Sequence, residues 1–501
     1  TRATAPTPSV EAILHATLPY KYVDHTHADA VITVTNTDGG LKRIKEIYGD
    51  SVVIIPYIMP GFDLARLCAE RFAADAGPQT RGMVLMNHGI FSFGATARES
   101  YERMIELVGM AEEELRLRKA WVVEWTPEAT PSVQTQRIEL ATLRNEIARC
   151  VGAPVILHTT GDAQAFGFVR RPDIGVISQQ GPATPDHVIR TKRVPLLGRD
   201  VAAYAQTYRD YFDAQVGDRG KTMLDPAPRV VLDAEFGLCA VGRSAQDAFI
   251  VRDIYQHTID IITRATQLER YQALPARDYF NVEYWDLEQA KLRKAGRPAL
   301  FAGEVVLITG AASGIGEACV EAFLARGAAV VGLDISAAIT TVSDQAAYLG
   351  LVCDVSDAGA LERALEQAIR HFGGLDMLVL NAGVFPGGCN IAALDDAEWE
   401  RVLRVNLDAN LALLRLTHPL LKRAPRGGRV AVIGSKNVPA PGPRAAAYSA
   451  SKAALTQLMR VAALEWAGDG IRLNELHPDA VFDTGIWNDD VIAARAAHYG
   501  M

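Results

Sequence analysis

Apolar and polar positions follow three different rhythms along the chain. In the first 120 residues, the runs Ala28–Thr35 (ADAVITVT), Ser51–Tyr57 (SVVIIPY) and Met83–Phe93 (MVLMNHGIFSF) predict strands, the last a pair joined by a turn. A 3.6-residue period from Ala97 to Lys119 then predicts a long helix, with Met104, Leu107, Val108 and Ala111 on one side. Residues 121–300 are less regular. A Pro/Thr/Ser-rich stretch at 124–135 reads as a linker, a helix is expected over Ile138–Cys150, and Phe280–Lys294 reads as an aromatic-rich helix start of structural role. From residue 301 onward short apolar runs (305–308, 329–333, 351–353, 377–380 and 430–433) alternate with helical patterns. That alternation predicts a doubly wound parallel α/β sheet.

The middle region carries a pattern already seen in the first. VVLDAEFGLCAVGRSAQDAFIVRDIY from Val230 parallels MVLMNHGIFSFGATARESYERMIEL from Met83: strand, turn, strand ending in glycine, helix. Gly242 matches Gly94. Residues 121–300 are therefore expected to be a connecting region built as a second, degenerate copy of 1–120, with 301–501 as a separate domain. Glu235 or Phe236 stands where the first copy has His88, so no metal is expected in the second copy.

Composition narrows the function classes. The chain is 49% apolar and 22% charged, the balance of a globular protein. Its net charge of −8, with no basic stretch interleaved with aromatics, argues against nucleic acid or an anionic membrane as partner. No apolar run approaches the ~18–20 residues needed to span a bilayer. Six scattered cysteines without a CxxC fit a reducing, cytoplasmic setting. The chain lacks an initial Met and reads as entering mid-domain, as a fragment would.

The densest chemistry lies after residue 304. Val305–Ile308 runs into TGAASGIG (Thr309–Gly316) and then a helix, an arrangement that lets backbone N–H groups and a helix N-terminus cradle a pyrophosphate. Asp334, eighteen residues past Gly316 at the end of the next strand, is where a carboxylate holds a ribose 2′-OH and repels a 2′-phosphate. NAD is favoured over NADP. Asp354 ends the following strand. Tyr448 and Lys452, at i and i+4, share one helix face. A lysine ammonium one turn away favours the phenolate, so that the tyrosine can exchange a proton with a carbinol. Ser435 precedes the pair by thirteen residues and is placed to hold the substrate oxygen.

These motifs, with Asn381-Ala382-Gly383 and a helical Asn406, resemble the short-chain dehydrogenase/reductase family over about 200 residues. The resemblance implies a Rossmann domain and a catalytic set of Asn406, Ser435, Tyr448 and Lys452. The implied NAD site is Gly310, Ser313, Ile315, Gly316, Asp334, Asp354, Val355, Asn381, Gly383 and Thr484, together with Tyr448 and Lys452. It also implies a homo-oligomer. One departure stands out: Pro478-Asp479 replaces the family's usual Pro-Gly. The chain also stops 23 residues after Pro478, short of the family's last strand and helix.

In the first region His25 and His27 lie in VDHTHADA just before an expected strand, and in extended chain i and i+2 share a face. His88, at a strand turn, is a candidate third ligand. Three imidazoles with open positions suit a catalytic zinc ion; two histidines alone also suit a surface or capping role. PSVEAILHA, HTHADAVITVTN and MVLMNHGIFSFG, in that order, resemble the class II aldolase and adducin-like family. By that resemblance His25, His27 and His88 bind Zn²⁺ and Glu11 is the acid/base. The family's phosphate-binding loop lies upstream of the acid, beyond Thr1. The basic loop 178–200, with His187, Arg190, Lys192 and Arg193, is a second candidate for receiving a phosphate, or else a solvated loop or a domain contact.

Both resemblances together match one fusion group, the bifunctional rhamnulose-1-phosphate aldolase/short-chain alcohol dehydrogenases. They imply sugar-phosphate and aldehyde substrates: cleavage of rhamnulose 1-phosphate to dihydroxyacetone phosphate and L-lactaldehyde, then NAD-dependent oxidoreduction of the lactaldehyde. A dehydrogenase carrying a non-catalytic aldolase-like domain, and action on another ketose, are the alternatives.

Overall fold

The computed structural model describes residues 11–125, 136–218, 220–293, 297–482, 484, 492 and 493. The chain divides into two compact units. One is formed by 1–129, 161–238 and 250–296, the other by 130–160, 239–249 and 297–501. The expected linker lies, from residue 126 to 135, outside the described residues.

In the first unit, β1 (Tyr22–Thr26), β2 (Val52–Ile55), β3 (Gly82–Leu85) and β4 (Gly89–Gly94) form a sheet in the order β1-β4-β3-β2. Its side chains alternate between two cores. Val53, Ile55, Met83, Leu85, Phe91 and Phe93 face the helix Phe62–Asp75. Val52, Val84 and Ile90 face the helix Ala97–Leu117, which contributes Met104, Leu107, Ala111 and Leu115. With both faces covered, the inner β3 and the neighbouring β2 carry no polar side chain.

Two sequence expectations change here. Ala28–Thr35 is not a strand: Asp29–Thr35 is a helix, with Ala30 to Thr35 all buried. A short run that is apolar all round carries no period to separate strand from helix. Asp29 in the first turn favours the helix, and Thr35 bonds back to the Ile32 carbonyl at 3.1 Å. His25 therefore sits within β1 and His27 just after it, rather than ahead of a strand. The second change is at Phe280–Lys294, which is two helices, Ala276–Glu283 and Asp286–Arg293, broken at Tyr284-Trp285.

Further along, the chain forms β5 (Ile156–Thr160), β6 (Leu196–Leu197), β7 (Val230–Asp233) and β8 (Gly237–Gly242), followed by the helix Ala245–Leu268. The order β8-β7-β6 repeats β4-β3-β2, with β6 and β7 parallel as β2 and β3 are. The matched glycines share an environment. A Cβ on Gly94 would lie 2.8 Å from the Ser100 nitrogen, and one on Gly242 would lie 2.2 Å from the Ala248 nitrogen, six residues on in each case. With Gly237 matching Gly89, the residue at the His88 position is Phe236, which is fully buried under the Arg199 guanidinium.

The second unit is organised on a six-stranded parallel sheet of β9 (Val305–Thr309), β10 (Ala329–Asp334), β11 (Tyr348–Val352), β12 (Met377–Leu380), β13 (Arg429–Ile433) and β14 (Arg472–Leu476). The order is β11-β10-β9-β12-β13-β14. This is the doubly wound order, whose crossover point lies between β9 and β12 at their C-terminal ends. The helix Gln136–Val151 is tied to this sheet by a buried Arg144. Its guanidinium makes a two-point pair with Asp376 (2.6 and 3.3 Å) and donates to the Val155 and Gly303 carbonyls. Asp376 also accepts from the Val305 N–H at 2.7 Å.

Candidate functional site

Four side chains from separate elements meet at the end of the first sheet. Glu11, His25, His27 and His88 each offer one ligand atom, and those atoms all lie within 4.8 Å of one another. The His25 and His27 Nε2 atoms are 3.1 Å apart. Glu11 Oε1 is 3.0 Å from His88 Nε2 and 3.5 Å from His25 Nε2.

Local structure explains the convergence. His25 pairs with Phe91 across β1 and β4 and stacks on its ring at 4.0 Å. Its Nδ1–H points at the Ile90 carbonyl, 3.0 Å away, which leaves the Nε2 lone pair facing the cluster. His88 sits in the β3–β4 turn after Asn87, whose φ of 58° is left-handed and whose amide bonds Asn36 at 3.0 Å. Gly89 makes room for both rings. A Cβ there would lie 2.5 Å from the Thr26 oxygen, 3.0 Å from His25 and 3.1 Å from His27.

The electrostatics fit a cation site. Hydrogen bonds to His25 and His88 hold the Glu11 carboxyl well below the usual carboxylate range. Burial, with the neighbouring His88 charge, pulls His27 down to about 4, so its imidazole is neutral and able to ligate. Burial also opposes charge on His88, but the Glu11 hydrogen bond and the Asp186 and Glu11 charges outweigh it and the net shift is upward. Three convergent imidazole nitrogens and a carboxylate are a donor set for a first-row divalent metal. A fifth group had no sequence signal: Asp186 Oδ2 lies 3.8 Å from His27 Nε2 and 4.0 Å from His88 Nε2.

The basic loop is used differently from the phosphate reading. Lys192 is buried, donates to the Tyr208 hydroxyl at 2.9 Å and lies 3.6 Å from Glu283. Arg193 donates to the Gln180 carbonyl. These two cations are engaged by groups of the middle region, as the contact alternative for this loop expects.

The second constellation lies at the C-terminal ends of β9, β12 and β13. Gly310 (φ 64°) and Gly314 (φ 55°) take left-handed backbone conformations. A Cβ on Gly316 would lie 1.9 Å from the Gly310 oxygen, so the turn admits only glycine there. Ser313 precedes the helix Gly314–Leu324, and Ile315 is half-buried in its first turn. Asn381 donates to the Thr309 and Gly310 carbonyls (3.0 and 2.9 Å) and braces the turn. The Asp334 carboxylate accepts from the Ala312 N–H (3.1 Å) and the Ser336 N–H (2.9 Å), which fixes it beside the glycine-rich turn. Asp354 is turned into its own loop, accepting from the Ser356 N–H and hydroxyl, next to buried Val355. Thr484 packs against Gly314, its Cγ2 3.1 Å from where a Cβ would be. The cradle that a Cβ would fill is what a dinucleotide needs.

Tyr448 and Lys452 project from the helix Ala446–Trp466. The Lys452 ammonium lies 5.9 Å from the Tyr448 ring centroid and donates to the Ile433 carbonyl at 2.7 Å. Burial brings Lys452 down to about 8, against the pull of Glu475. Burial raises Tyr448, and the Ser435 hydroxyl partly offsets this by hydrogen bonding to the phenol. Asn406 sits in a single π turn, 404–408, and its amide is fully engaged. It accepts from the Val384 N–H and donates to the Val384 carbonyl and the Ser451 hydroxyl. Beside Gly383, Asn406 Oδ1 and Lys452 Nζ lie 3.3 and 3.6 Å from the Cβ position. Asp479, the departure from Pro-Gly, has a partner: it forms an ion pair with Lys436 at 2.8 Å, next to Ser435. A cleft of about 240 Å³ opens at Tyr448, lined by Gly388, Cys389, Asp395, Glu398 and Arg444 among others.

Three family descriptions match consecutive parts of the chain. They are the class II aldolase and adducin N-terminal domain (2–115), the second domain of class II aldolase (134–292) and short chain dehydrogenase (304–491). An uncharacterized oxidoreductase of Bacillus subtilis, YuxG, is 32% identical over 99% of this chain and 76% of its own length. The chain belongs to the family in which class II aldolase domains are fused to a short-chain dehydrogenase domain. The dehydrogenase part alone is similar to D-threitol dehydrogenase of Mycolicibacterium smegmatis, 31% identical over 36% of this chain and 70% of that one. It also aligns with a crystal structure of 3-ketoacyl-(acyl-carrier-protein) reductase from Brucella melitensis complexed with NADH. There the identity is 31%, over 36% of this chain and 76% of the other, with a TM-score of 0.35. The two constellations thus fall one in the aldolase N-terminal domain and one in the dehydrogenase domain.

Proposed function

We propose that the chain is a bifunctional enzyme of rhamnose breakdown. Its aldolase site cleaves rhamnulose 1-phosphate to dihydroxyacetone phosphate and L-lactaldehyde, and its dehydrogenase site oxidises the lactaldehyde to lactate. The observation that carries this reading is the intact convergence of Glu11 with His25, His27 and His88, because a scaffold-only domain has no need of four ligating groups within 4.8 Å. His25, His27 and His88 would hold a Zn²⁺ ion, which would supply Lewis acidity at the ketone oxygen. Glu11 moves the proton at the carbon that becomes dihydroxyacetone phosphate, from its seat between His25 and His88.

In the dehydrogenase site the glycine-rich turn receives a pyrophosphate and Asp334 takes the adenosine ribose hydroxyls. A 2′-phosphate would meet the Asp334 carboxylate, which favours NAD, the hydride acceptor when bound. Ser435 holds the substrate oxygen, and Tyr448 removes the hydroxyl proton of the hydrated aldehyde. Lys452 stabilises the phenolate, while Asn406 keeps the π turn and the catalytic helix in register. D-threitol dehydrogenase takes, by its name, a small polyhydroxylated substrate, the same class as a hydrated hydroxyaldehyde. The enzyme works as a homo-oligomer in the cytoplasm.

Zinc analysis together with a product assay tests the aldolase half. The full chain should retain about one zinc per chain and release dihydroxyacetone phosphate from rhamnulose 1-phosphate, and His25→Ala/His27→Ala should lose both. Zinc-free protein with full cleavage activity would overturn the metal reading. Zinc-loaded protein inert on this sugar would overturn the substrate.

A further inference from the structure

Asp186 comes from the middle region, in the turn Pro185–His187, yet reaches the trihistidine cluster of the first. Glu11 and Asp186 occupy different edges. Glu11 lies on His25 and His88, and Asp186 on His27 and His88. Donors sharing one tetrahedral coordination sphere at ~2.1 Å from a metal are ~3.4 Å apart. The Glu11 separations of 3.0 and 3.5 Å match that spacing, whereas the Asp186 separations of 3.8 and 4.0 Å place its carboxylate one step further out. That is the place of a group that accepts a hydrogen bond from something held on the cluster.

Two further observations point to a hydroxyl as that something. The Asp186 carboxylate is about one-third exposed, and its described partners are the imidazoles of His27 and His88, with no hydrogen-bond donor at normal distance. Within reach of its charge is Tyr57, just past β2, whose buried phenol oxygen has no hydrogen-bond partner among the described residues. Asp186, Asp278 and Tyr279 are the polar groups whose charges bear on that phenol. A buried phenol without a partner is costly unless a ligand completes it.

We infer that Asp186 and Tyr57 form a hydroxyl-binding pair on the open side of the aldolase cluster, so that the middle region supplies part of the aldolase site. The carboxylate accepts from, and the phenol donates to, adjacent hydroxyls of a polyhydroxylated ketose. The inference rests on the aldolase reading above and adds which residues select the polyol.

The test uses the zinc-loaded full chain and Asp186→Asn, Tyr57→Phe and the double variant. Two readouts are taken: zinc content with the affinity for glycolohydroxamate, a metal-chelating probe without the sugar's further hydroxyls, and KM for rhamnulose 1-phosphate. Loss of a hydrogen bond to a charged group predicts a KM about ten-fold higher or more for Asp186→Asn, with zinc and hydroxamate affinity unchanged. Tyr57→Phe should raise KM several-fold. An unchanged KM in both single variants overturns the inference, and so does a parallel loss of zinc and hydroxamate binding, which would make Asp186 a ligand. Failure of the unsubstituted chain to bind zinc and hydroxamate removes the aldolase reading itself, and this inference with it.

Discussion

Lys452 sets the most direct expectation at the level of single residues. In the proposed mechanism its ammonium favours the Tyr448 phenolate, since burial pushes the phenol the other way and the Ser435 hydroxyl offsets that only in part. Lys452 itself sits at about 8, below the ordinary lysine value, because it is buried. It is charged below that pH and loses its proton as the pH rises through it, so support for the phenolate fades on the alkaline side. The kcat of the dehydrogenase reaction should fall above about pH 8. Lys452→Met should lower kcat by roughly 10²-fold or more and abolish that alkaline limb, and Lys452→Arg should move the limb upward. A wild-type rate still climbing at pH 9.5 to 10 would contradict the role given to Lys452. At the other site Gly89 is the sensitive position. With a Cβ 2.5 Å from the Thr26 oxygen, Gly89→Ala should displace His25 and His27 and lower zinc content while most of the fold persists. Normal zinc content in that variant would show the strand end to be softer than the geometry implies.

Among the elements, buried polar ties are as informative as the sheets. The Arg144–Asp376 pair is fully enclosed, each Arg144 nitrogen donates at least one hydrogen bond, and it fastens the helix Gln136–Val151 to the parallel sheet. Asp376→Ala leaves the Arg144 guanidinium buried without its counter-ion and should cost about 3–5 kcal/mol, read as a lower urea midpoint for loss of the dehydrogenase fold. A shift worth under about 1 kcal/mol would mean that water or a rearranged partner takes over. The same elements show what was legible in the sequence. The glycine-rich turn, the β3–β4 turn at His88 and the Tyr448/Lys452 helix were readable because each depends on local spacing. Three features were not. Asp29–Thr35 is buried on every side from Ala30 onward, threonines included, so its helix carries no helical period. The break at Tyr284-Trp285 coincides with tertiary packing, the Tyr284 hydroxyl meeting that of Tyr208 at 2.7 Å and its ring packing on Phe212 at 5.1 Å. Asp186 has no motif of its own and meets His27 only after the chain has folded. The role of Lys192 stayed open for a related reason: cation density in sequence does not tell a ligand-facing loop from a buried pair.

For the whole molecule, two repeated aldolase-like strand arrangements and one dinucleotide-binding sheet suit sequential chemistry on one chain. No helix among the described residues is long and apolar enough to cross a membrane. Leu464 is 83% exposed and Val461 43% exposed on the outer side of the helix Ala446–Trp466, an apolar surface suited to a second copy. If the proposed homo-oligomer uses this surface, Leu464→Asp should lower the molar mass seen by light scattering while the monomer stays folded, and an unchanged mass would contradict that use. The central claim is that two chemistries are linked through one intermediate. Its most direct test gives the zinc-loaded full chain rhamnulose 1-phosphate and NAD and follows NADH, beside His25→Ala/His27→Ala. The account predicts NADH from the unsubstituted chain, none from the variant, and recovery in the variant when L-lactaldehyde is added. NADH from lactaldehyde but none from the sugar phosphate, with the zinc site filled, would contradict the link.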